Sequence, residues 1–424
     1  MSSLYRAPRG TFDILPEEHV YWKYVEDKAA FWCRLYGYRP LSMPIFEDAQ
    51  VFTRAVGGAT DIVDKEMYVF QDKGGQDLAL RAEGTAPVCR AYLEHGMFNL
   101  AQPVKLYYIG PTFRYERPQA GRYRQHHQFG YEALGEADPV LDAEVIEMAW
   151  RLFLSLGLSG VSIQLNSIGC KTCRPRFLEV LRQHYSVHAE NVCADCKGRL
   201  ARNPLRLLDC KKDYCRELAE AAPKTLDYLC DDCRSHFESV RDYLEKLSIP
   251  FHLNHRLVRG LDYYTRTVFE VEPEEMGGQS SLGGGGRYDD LIETLGGRPT
   301  PAVGFAAGLE RIVLNLKKQN PGIPPLPGPV AYVAYLGQEA KTEAVRLTSE
   351  LRKDGLAVIM ATGDKSLKAQ MRHADSLGSS CVVILGREEI QNRTAVVRDM
   401  SSGEQRTVAE GDLANVLECR KHPT

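Results

Sequence analysis

Lys105-Leu106-Tyr107-Tyr108-Ile109 runs through Gly110-Pro111 into Thr112-Phe113-Arg114-Tyr115-Glu116. After the basic loop Arg117-Pro118-Gln119-Ala120-Gly121-Arg122-Tyr123-Arg124, the chain returns through Gln128-Phe129-Gly130-Tyr131-Glu132. Side chains alternate across a strand, so Gln128, Gly130 and Glu132 share one face, as do Arg114 and Glu116 on the outgoing run. If the two runs pair as a hairpin, cations and carboxylates meet around a glycine floor. For any single charge, a solvated hairpin with surface ion pairs is the simpler account; further segments with the same character change that balance. Just upstream, Leu78, Leu80 and Ala82 alternate with Arg81, Glu83 and Thr85, which in an extended chain puts an apolar face inward and a polar face on a cleft.

Two helices flank this strand-rich region. Residues 17 to 36 carry Val25, Ala29, Trp32 and Tyr36 at helical spacing, with Gly37 at the stop. Asp138 caps the second helix and Pro139 suits its first turn. Leu141, Val145, Met148, Leu152 and Leu156 form its stripe, and Gly157 ends it. Antiparallel strands flanked by helices imply an α+β core.

The chain of 424 residues is too long for one ordinary core. From about residue 170 to 244 the texture shifts to cysteine pairs and charged helical segments, read as an inserted subdomain, before Thr267-Val268-Phe269-Glu270-Val271 resumes a strand pattern. Asn320-Pro321-Gly322-Ile323-Pro324-Pro325-Leu326-Pro327-Gly328-Pro329 cannot hold regular structure, because proline removes donors and fixes φ. The expected domains are therefore 1–325, insertion included, and 330–424. In the second, strands near 330–336, 356–360 and 381–385 alternate with helical segments at 339–353 and 365–377, the signature of a partly parallel α/β sheet.

Hydrophobic residues make up 44% and charged residues 26%, with a formal net charge of -3. The balance excludes a globally basic nucleic-acid binder but leaves room for local Lys/Arg faces. No apolar run is long enough to span a membrane, and Met1-Ser2-Ser3-Leu4-Tyr5-Arg6-Ala7-Pro8 has no apolar stretch behind its charge. Eight of the twelve cysteines fall between Cys170 and Cys233, a poor distribution for a disulfide framework, so a reducing cytoplasm is expected. Cys170/Cys173, Cys193/Cys196 and Cys230/Cys233 have zinc-ligand spacing, and Cys210/Cys215 is a wider pair. Spacing alone does not show that the pairs converge, and thiols without metal fit it as well.

Three more segments embed chemistry among small or apolar residues. Arg256-Leu257-Val258-Arg259-Gly260-Leu261-Asp262-Tyr263-Tyr264-Thr265 is one, and Ser281-Leu282-Gly283-Gly284-Gly285-Gly286-Arg287-Tyr288-Asp289 is another. Four consecutive glycines weaken a strand unless a ligand or another segment packs against it. The third, Pro301 to Ile312, reads as a small-residue strand entering a helix that carries Arg311. Neither the P-loop nor the Rossmann fingerprint is present.

Taken together, these residues resemble the class II aminoacyl-tRNA synthetases, and specifically the histidyl-tRNA synthetase family. Gly37-Tyr38 with Pro44-Ile45-Phe46 looks like class motif 1, Phe113-Arg114-Tyr115-Glu116 with its loop and return strand like motif 2, and Gly308-Leu309-Glu310-Arg311 like motif 3. Arg259 to Tyr264 and Gly284 to Tyr288 resemble two motifs peculiar to the histidine enzymes. Ala82 and His126 depart from the usual pattern, where proline and an aromatic are common.

The resemblance implies an antiparallel sheet core flanked by helices, with an inserted subdomain and a C-terminal α/β domain that binds the anticodon. It implies activation of histidine by ATP and transfer to tRNA(His), by a homodimer joined through the Gly37 to Phe46 region. Arg114 and Arg259 would serve the α-phosphate and carboxylate, Arg311 the γ-phosphate, and Arg122 the nucleotide. Glu83, Thr85 and Gln128 would hold the ammonium, while Glu132 and Tyr264 recognise the imidazole and Tyr263 closes the pocket. Mg²⁺ is expected with ATP. The rivals are a histidine-sensing regulatory paralogue of the same fold and a zinc-organised nucleic-acid scaffold.

Overall fold

The structure of the protein, a computed structural model, describes residues 5–57, 60, 62–117, 121–273 and 281–419. Met1-Ser2-Ser3-Leu4, the loop residues Pro118-Gln119-Ala120 and the last five residues lie outside these. The chain divides into two compact units, Met1–Ile323 and Pro324–Thr424.

Helix α1 (His19–Leu35) ends where Gly37 takes φ +78°. There Tyr38 N–H reaches the Cys33 carbonyl at 2.8 Å and Gly37 N–H the Arg34 carbonyl at 3.2 Å, satisfying the last turn. Its buried stripe is Trp22, Val25, Ala29 and Cys33. Trp32 and Tyr36, which the spacing placed on that stripe, sit at its flank, because the Trp32 indole turns to donate to Ser155 Oγ at 2.8 Å.

A two-residue strand β1 (Arg39–Pro40) precedes a small sheet of β2 (Phe46–Asp48), β3 (Val69–Gln71) and β4 (Asp77–Leu80), in the order β2-β4-β3, with α2 (Ala49–Val56) between β2 and β3. Strand β4 is shorter than the alternation suggested. Its buried residue is Ala79, with Leu78 and Leu80 only half-buried, and beyond it the Glu83 carboxylate accepts from the N–H groups of Thr85 (2.7 Å) and Ala86 (2.8 Å). Capturing those orphan donors starts α3 (Thr85–Glu94), so Thr85 begins a helix instead of continuing a strand. Arg81 does not face a cleft either. It is buried and donates to the carbonyls of Pro111 (2.7 Å), Met43 (3.0 Å) and Pro44 (3.1 Å), fastening this corner together.

Strands β5 (Val104–Phe113) and β6 (Gln125–Leu134) pair along their whole length, with Gly110 opposite Gln128 and Leu106 opposite Glu132. Helix α4 (Pro139–Ser155) follows, its first turn capped by the Asp138 carboxylate on Val140 N–H at 2.9 Å. After β7 (Val161–Ser167) comes the cysteine-rich segment, built of α5 (Arg174–Val187), α6 (Ala194–Arg202), α7 (Asp213–Glu220) and α8 (Asp231–Lys246). The last of these helices rejoins the main body: Phe237, Val240 and Leu244 pack in one core with α1 and α4. Then follow β8 (Phe251–Leu253), β9 (Thr265–Pro273), β10 (Gly283–Arg287), the single turn α9 (Leu291–Thr294), β11 (Ala302–Gly308) and α10 (Leu309–Gln319).

The main sheet runs β1-β5-β6-β11-β10-β9-β7-β8, antiparallel except for the parallel edge pairs β1/β5 and β7/β8. Period-two alternation sorts its faces. Phe129, Tyr131 and Ala133 of β6, with Val303, Phe305 and Ala307 of β11, enter the core shared with α1, α4, α8 and α10. Gln128, Gly130 and Glu132 are thereby turned to the other face, where a second cluster joins α2, α3 and α5 to α7 with Tyr108, Tyr264 and Tyr288.

In the second unit, β12 (Ala331–Tyr335), α11 (Gln338–Lys353), β13 (Val358–Met360), α12 (Leu367–Ser376) and β14 (Cys381–Leu385) form the parallel part of a sheet ordered β13-β12-β14-β15-β16. After α13 (Arg387–Asn392), the antiparallel strands β15 (Thr394–Asp399) and β16 (Gln405–Ala409) complete it, and α14 (Leu413–Glu418) closes the core.

Candidate active site

A cavity of about 600 Å³ opens on the polar face of the main sheet. Glu83, Thr85, Gln128, Tyr263 and Tyr264 line it, together with Arg114, Arg122, Arg259 and Arg311. Glu132 is not on its wall. It lies behind the floor, 1% exposed, accepting from Thr85 Oγ1 at 2.7 Å and from Tyr288 OH at 2.5 Å.

Each arginine is held differently. Arg114 lies just past the end of β5, its Nε donating to the Ala82 carbonyl at 2.9 Å. Arg122 is at the mouth, about half exposed, 3.6 Å from Glu116. Arg311, in the first turn of α10, donates to the Ser281 carbonyl at 2.7 Å and the Gly121 carbonyl at 3.3 Å. Arg259 is largely enclosed: its guanidinium pairs with Glu270 and lies over the Tyr264 ring.

The glycines make room for these groups. A Cβ on Gly284 would stand 2.4 Å from Arg259 Nη1, and one on Gly304 would stand 1.7 Å from Glu132 Oε2. The glycine run therefore packs against a charged side chain of the chain itself. Arg287, at the end of that run, is fully buried and bonded to Asp142 and the Asp138 carbonyl, binding β10 to the start of α4.

Burial controls the electrostatics. It pushes the Glu132 carboxyl up to about 8, against the hydrogen bonds from Tyr288 and Thr85, which favour the charged form. Glu83 is also raised by burial, opposed by the N–H groups of Ala86 and Thr85. His126 is driven down to about 3 by burial and then by Arg114 and Arg311, so it is neutral at any ordinary pH.

Sequence reading passed over two contributors. Glu270 was visible as the polar position of a strand, but its pairing with Arg259 needs the register of β9 and β10. The insertion, the least distinctive part of the sequence, supplies Arg206, Lys211 and Lys212 to the cavity wall, and Asn203 Nδ2 donates to Asp262 Oδ1 at 2.6 Å inside the Arg259–Tyr264 segment.

An antiparallel sheet that presents arginines above a glycine strand, with no phosphate-binding glycine loop among the described residues, defines the protein as one with the class II aminoacyl-tRNA synthetase fold. Comparison with known proteins narrows this. A family model described as histidyl-tRNA synthetase matches residues 10–312, and one described as anticodon binding domain matches residues 330–420. A "Histidine--tRNA ligase" of Dehalococcoides mccartyi is 56% identical, covering 96% of this chain and 97% of that one. One of Desulforamulus reducens is 50% identical, covering 97% and 99%. The solved apo histidyl-tRNA synthetase of S. aureus superposes with a TM-score of 0.82 at 36% identity, covering 98% of this chain and 100% of that one. The chain belongs to the histidyl-tRNA synthetase family. Among the described residues no helix is long and apolar enough to cross a membrane.

Proposed function

We propose that this chain joins L-histidine to ATP, giving histidyl-adenylate and pyrophosphate, and then transfers the histidyl group to the 3′ end of tRNA(His). The observation that carries this reading is the convergence of Arg114, Arg259 and Arg311 on the cavity that also holds Glu83, Thr85, Gln128 and Tyr264. In the first step a histidine carboxylate oxygen attacks the α-phosphorus, and pyrophosphate leaves with the electrons of the broken bond. In the second a ribose hydroxyl attacks the histidyl carbonyl and AMP departs. Both steps need positioning and fixed cations more than a protein nucleophile.

Arg259 and Arg114 hold the α-phosphate and substrate carboxylate, Arg311 the γ-phosphate, and Arg122 closes over the nucleotide from the mouth. Guanidinium groups suit these roles because they stay charged and bind phosphate oxygens in pairs. Glu83, Thr85 and Gln128 take the ammonium. Tyr264 and Tyr263 face the imidazole, and Glu132 acts from behind the floor by orienting the Thr85 hydroxyl. Leaving such polar groups unpaired is what rejects isosteres of histidine. Glu310 Oε2, buried on the cavity wall without a hydrogen-bond partner among the described residues, would hold a magnesium ion arriving with ATP. Such an ion would neutralise phosphate charge.

Residues 330–424 are proposed to read the anticodon stem-loop, supported by the match of 330–420 to the anticodon-binding family. A homodimer is supported by the exposed apolar residues Ile45, Phe46, Val69 and Phe70 on or beside the β2-β4-β3 sheet. The regulatory alternative is set aside: the relatives at 56% and 50% identity carry the ligase name, whereas the ATP phosphoribosyltransferase regulatory subunit/histidyl-tRNA synthetase of Bacillus halodurans, at 23% identity and TM-score 0.64, shares the fold alone. A zinc scaffold leaves the arginines and glycines unexplained. ATP–pyrophosphate exchange measured with each amino acid in turn tests the proposal: exchange with histidine alone is expected, and histidine binding without exchange would overturn it.

A further inference from the structure

The insertion's eight cysteines, drawn from four pairs scattered between residues 170 and 233, meet as two separate quartets. Cys170, Cys173, Cys230 and Cys233 form one; Cys193, Cys196, Cys210 and Cys215 form the other. In each the four sulfurs lie within 4.8 Å of one another. The sulfurs are 3.9 Å apart for Cys170/Cys173, 3.9 Å for Cys170/Cys230 and 3.8 Å for Cys193/Cys210. A tetrahedral ion with Zn–S bonds of about 2.3 Å sets its sulfurs roughly 3.8 Å apart, the edge of that tetrahedron. A disulfide needs about 2.05 Å, and all of these cysteines are free. A four-iron cube would hold its thiolates wider apart than either quartet allows.

The surroundings are built for thiolates as well. Cys170 N–H points at Cys173 Sγ (3.3 Å), Thr172 N–H at Cys170 Sγ (3.4 Å) and Cys193 N–H at Cys215 Sγ (3.3 Å). Cys193 and Cys230 occupy the caps of α6 and α8, with Cys196 and Cys233 in the first turns, so helix N-termini face the sulfur clusters. Five of the eight are buried; the first quartet forms a small cluster with Leu229, and Cys196, Cys210 and Cys215 of the second belong to the larger cluster that joins α5 to α7 with α2 and α3.

We propose that the insertion carries two structural zinc ions, each bound by four cysteine thiolates, with the four thiol protons released on binding. The first ion pins the starts of α5 and α8 together. The second holds the stretch from Cys193 to Cys215, in which Cys193 and Cys210 are themselves on the wall of the cavity beside Arg206, Lys211 and Lys212. Neither ion has an open coordination position, so neither takes part in the chemistry.

The test is metal analysis of the full chain purified without chelators. About two zinc per chain are expected, with an X-ray absorption first shell of sulfur alone. The half-exposed positions offer variants that leave the buried sulfurs in place: Cys170→Ser and Cys193→Ser should each hold about one zinc, and the double variant none. Cys193→Ser should also raise hydrogen exchange across 193–215 while leaving 170–176 protected. Protein free of metal that takes up neither Zn²⁺ nor Co²⁺ after reduction would overturn the proposal. So would quartets closed as disulfides, seen as a thiol count of about four that reductant raises to twelve, or iron with acid-labile sulfide in place of zinc. Wild-type zinc content in both single variants would do the same.

Discussion

Replacing Arg259 by alanine removes two things at once, and the structure separates them. The first is a guanidinium fixed by Glu270, by the Tyr264 ring and by the hollow over Gly284, and so already in place when charge shifts at the α-phosphate. Losing one such preorganised donor costs on the order of 10²–10³ in rate, roughly 3–4 kcal/mol. The second is the partner of Glu270, whose side chain is only 19% exposed. Left unpaired, that carboxylate repels the triphosphate by roughly 2 kcal/mol, taking about 8 Å and an effective dielectric near 20. Arg259→Ala should therefore lower histidine-dependent pyrophosphate exchange by about 10³ and also raise KM for ATP. Adding Glu270→Gln should restore much of the ATP affinity but not the rate. Transfer from supplied histidyl-adenylate to tRNA should suffer less than activation, because the phosphoryl step is complete. If Arg259 were only a structural ion-pair residue, both steps would fall together with the melting temperature. A folded Arg259→Ala protein with near-normal exchange would refute the assignment.

Gly304→Ala drives a methyl into the Glu132 carboxylate and to 2.8 Å from the Tyr131 carbonyl, so a loss of about 1–3 kcal/mol in stability and a weakened histidine KM are expected from denaturation and exchange assays. Glu132, raised in the fold to about 8 from an ordinary value near 4.5, binds its proton more tightly folded than unfolded. Its contribution to stability is thus full below about 4.5 and is lost as pH rises through about 8, by at most about 1.4 kcal/mol per pH unit. Glu132→Gln should flatten that fall, and parallel melting curves for both proteins between pH 5 and 8.5 would contradict it. Truncation near Pro325 should weaken tRNA charging more than histidine activation; equal losses in a folded dimeric fragment would count against separate roles. Phe46→Asp with Phe70→Asp should yield a monomer in sedimentation analysis if the small sheet carries the dimer contact.

Legibility from sequence followed the range of the signal. Helix ends were readable because their causes are local: the Asp138 cap, Pro139, and the turns at Gly37 and Gly157 act within a few residues. The hairpin and the alternation of β6 were readable for the same reason. The segment from Leu78 to Thr85 misled, because its alternation is equally compatible with a strand and with a carboxylate reaching back to start a helix, and the choice rests on where Glu83 can find donors. Arg81 looked like a cleft residue since charge normally seeks water; three nearby carbonyls made burial acceptable. Glu132 was recognised as part of the site, but its position behind the floor depends on a glycine in another strand.

That dependence explains why the small residues of this site resist local reading. Gly304 and Glu132 are register partners on neighbouring strands more than 170 residues apart in sequence, and Gly284 and Arg259 meet across a strand and a loop. In each pair the missing side chain is the space an ionisable one occupies. A glycine in a strand interior costs backbone entropy, so it persists where a larger residue would displace a group the chemistry needs. The insertion follows the same logic at a larger scale. Its helices share core with the sheet through Phe177, Leu181 and Tyr185, Asn203 grips Asp262 and Arg206 reaches the cavity, and the segment from which Asn203 and Arg206 project is the one gathered around the second cysteine quartet. Cys193 and Cys210 line the same cavity as Arg206, Lys211 and Lys212, so the sulfurs that would hold the second ion and the basic wall belong to one short segment, and Cys193→Ser should displace that wall as well as the metal.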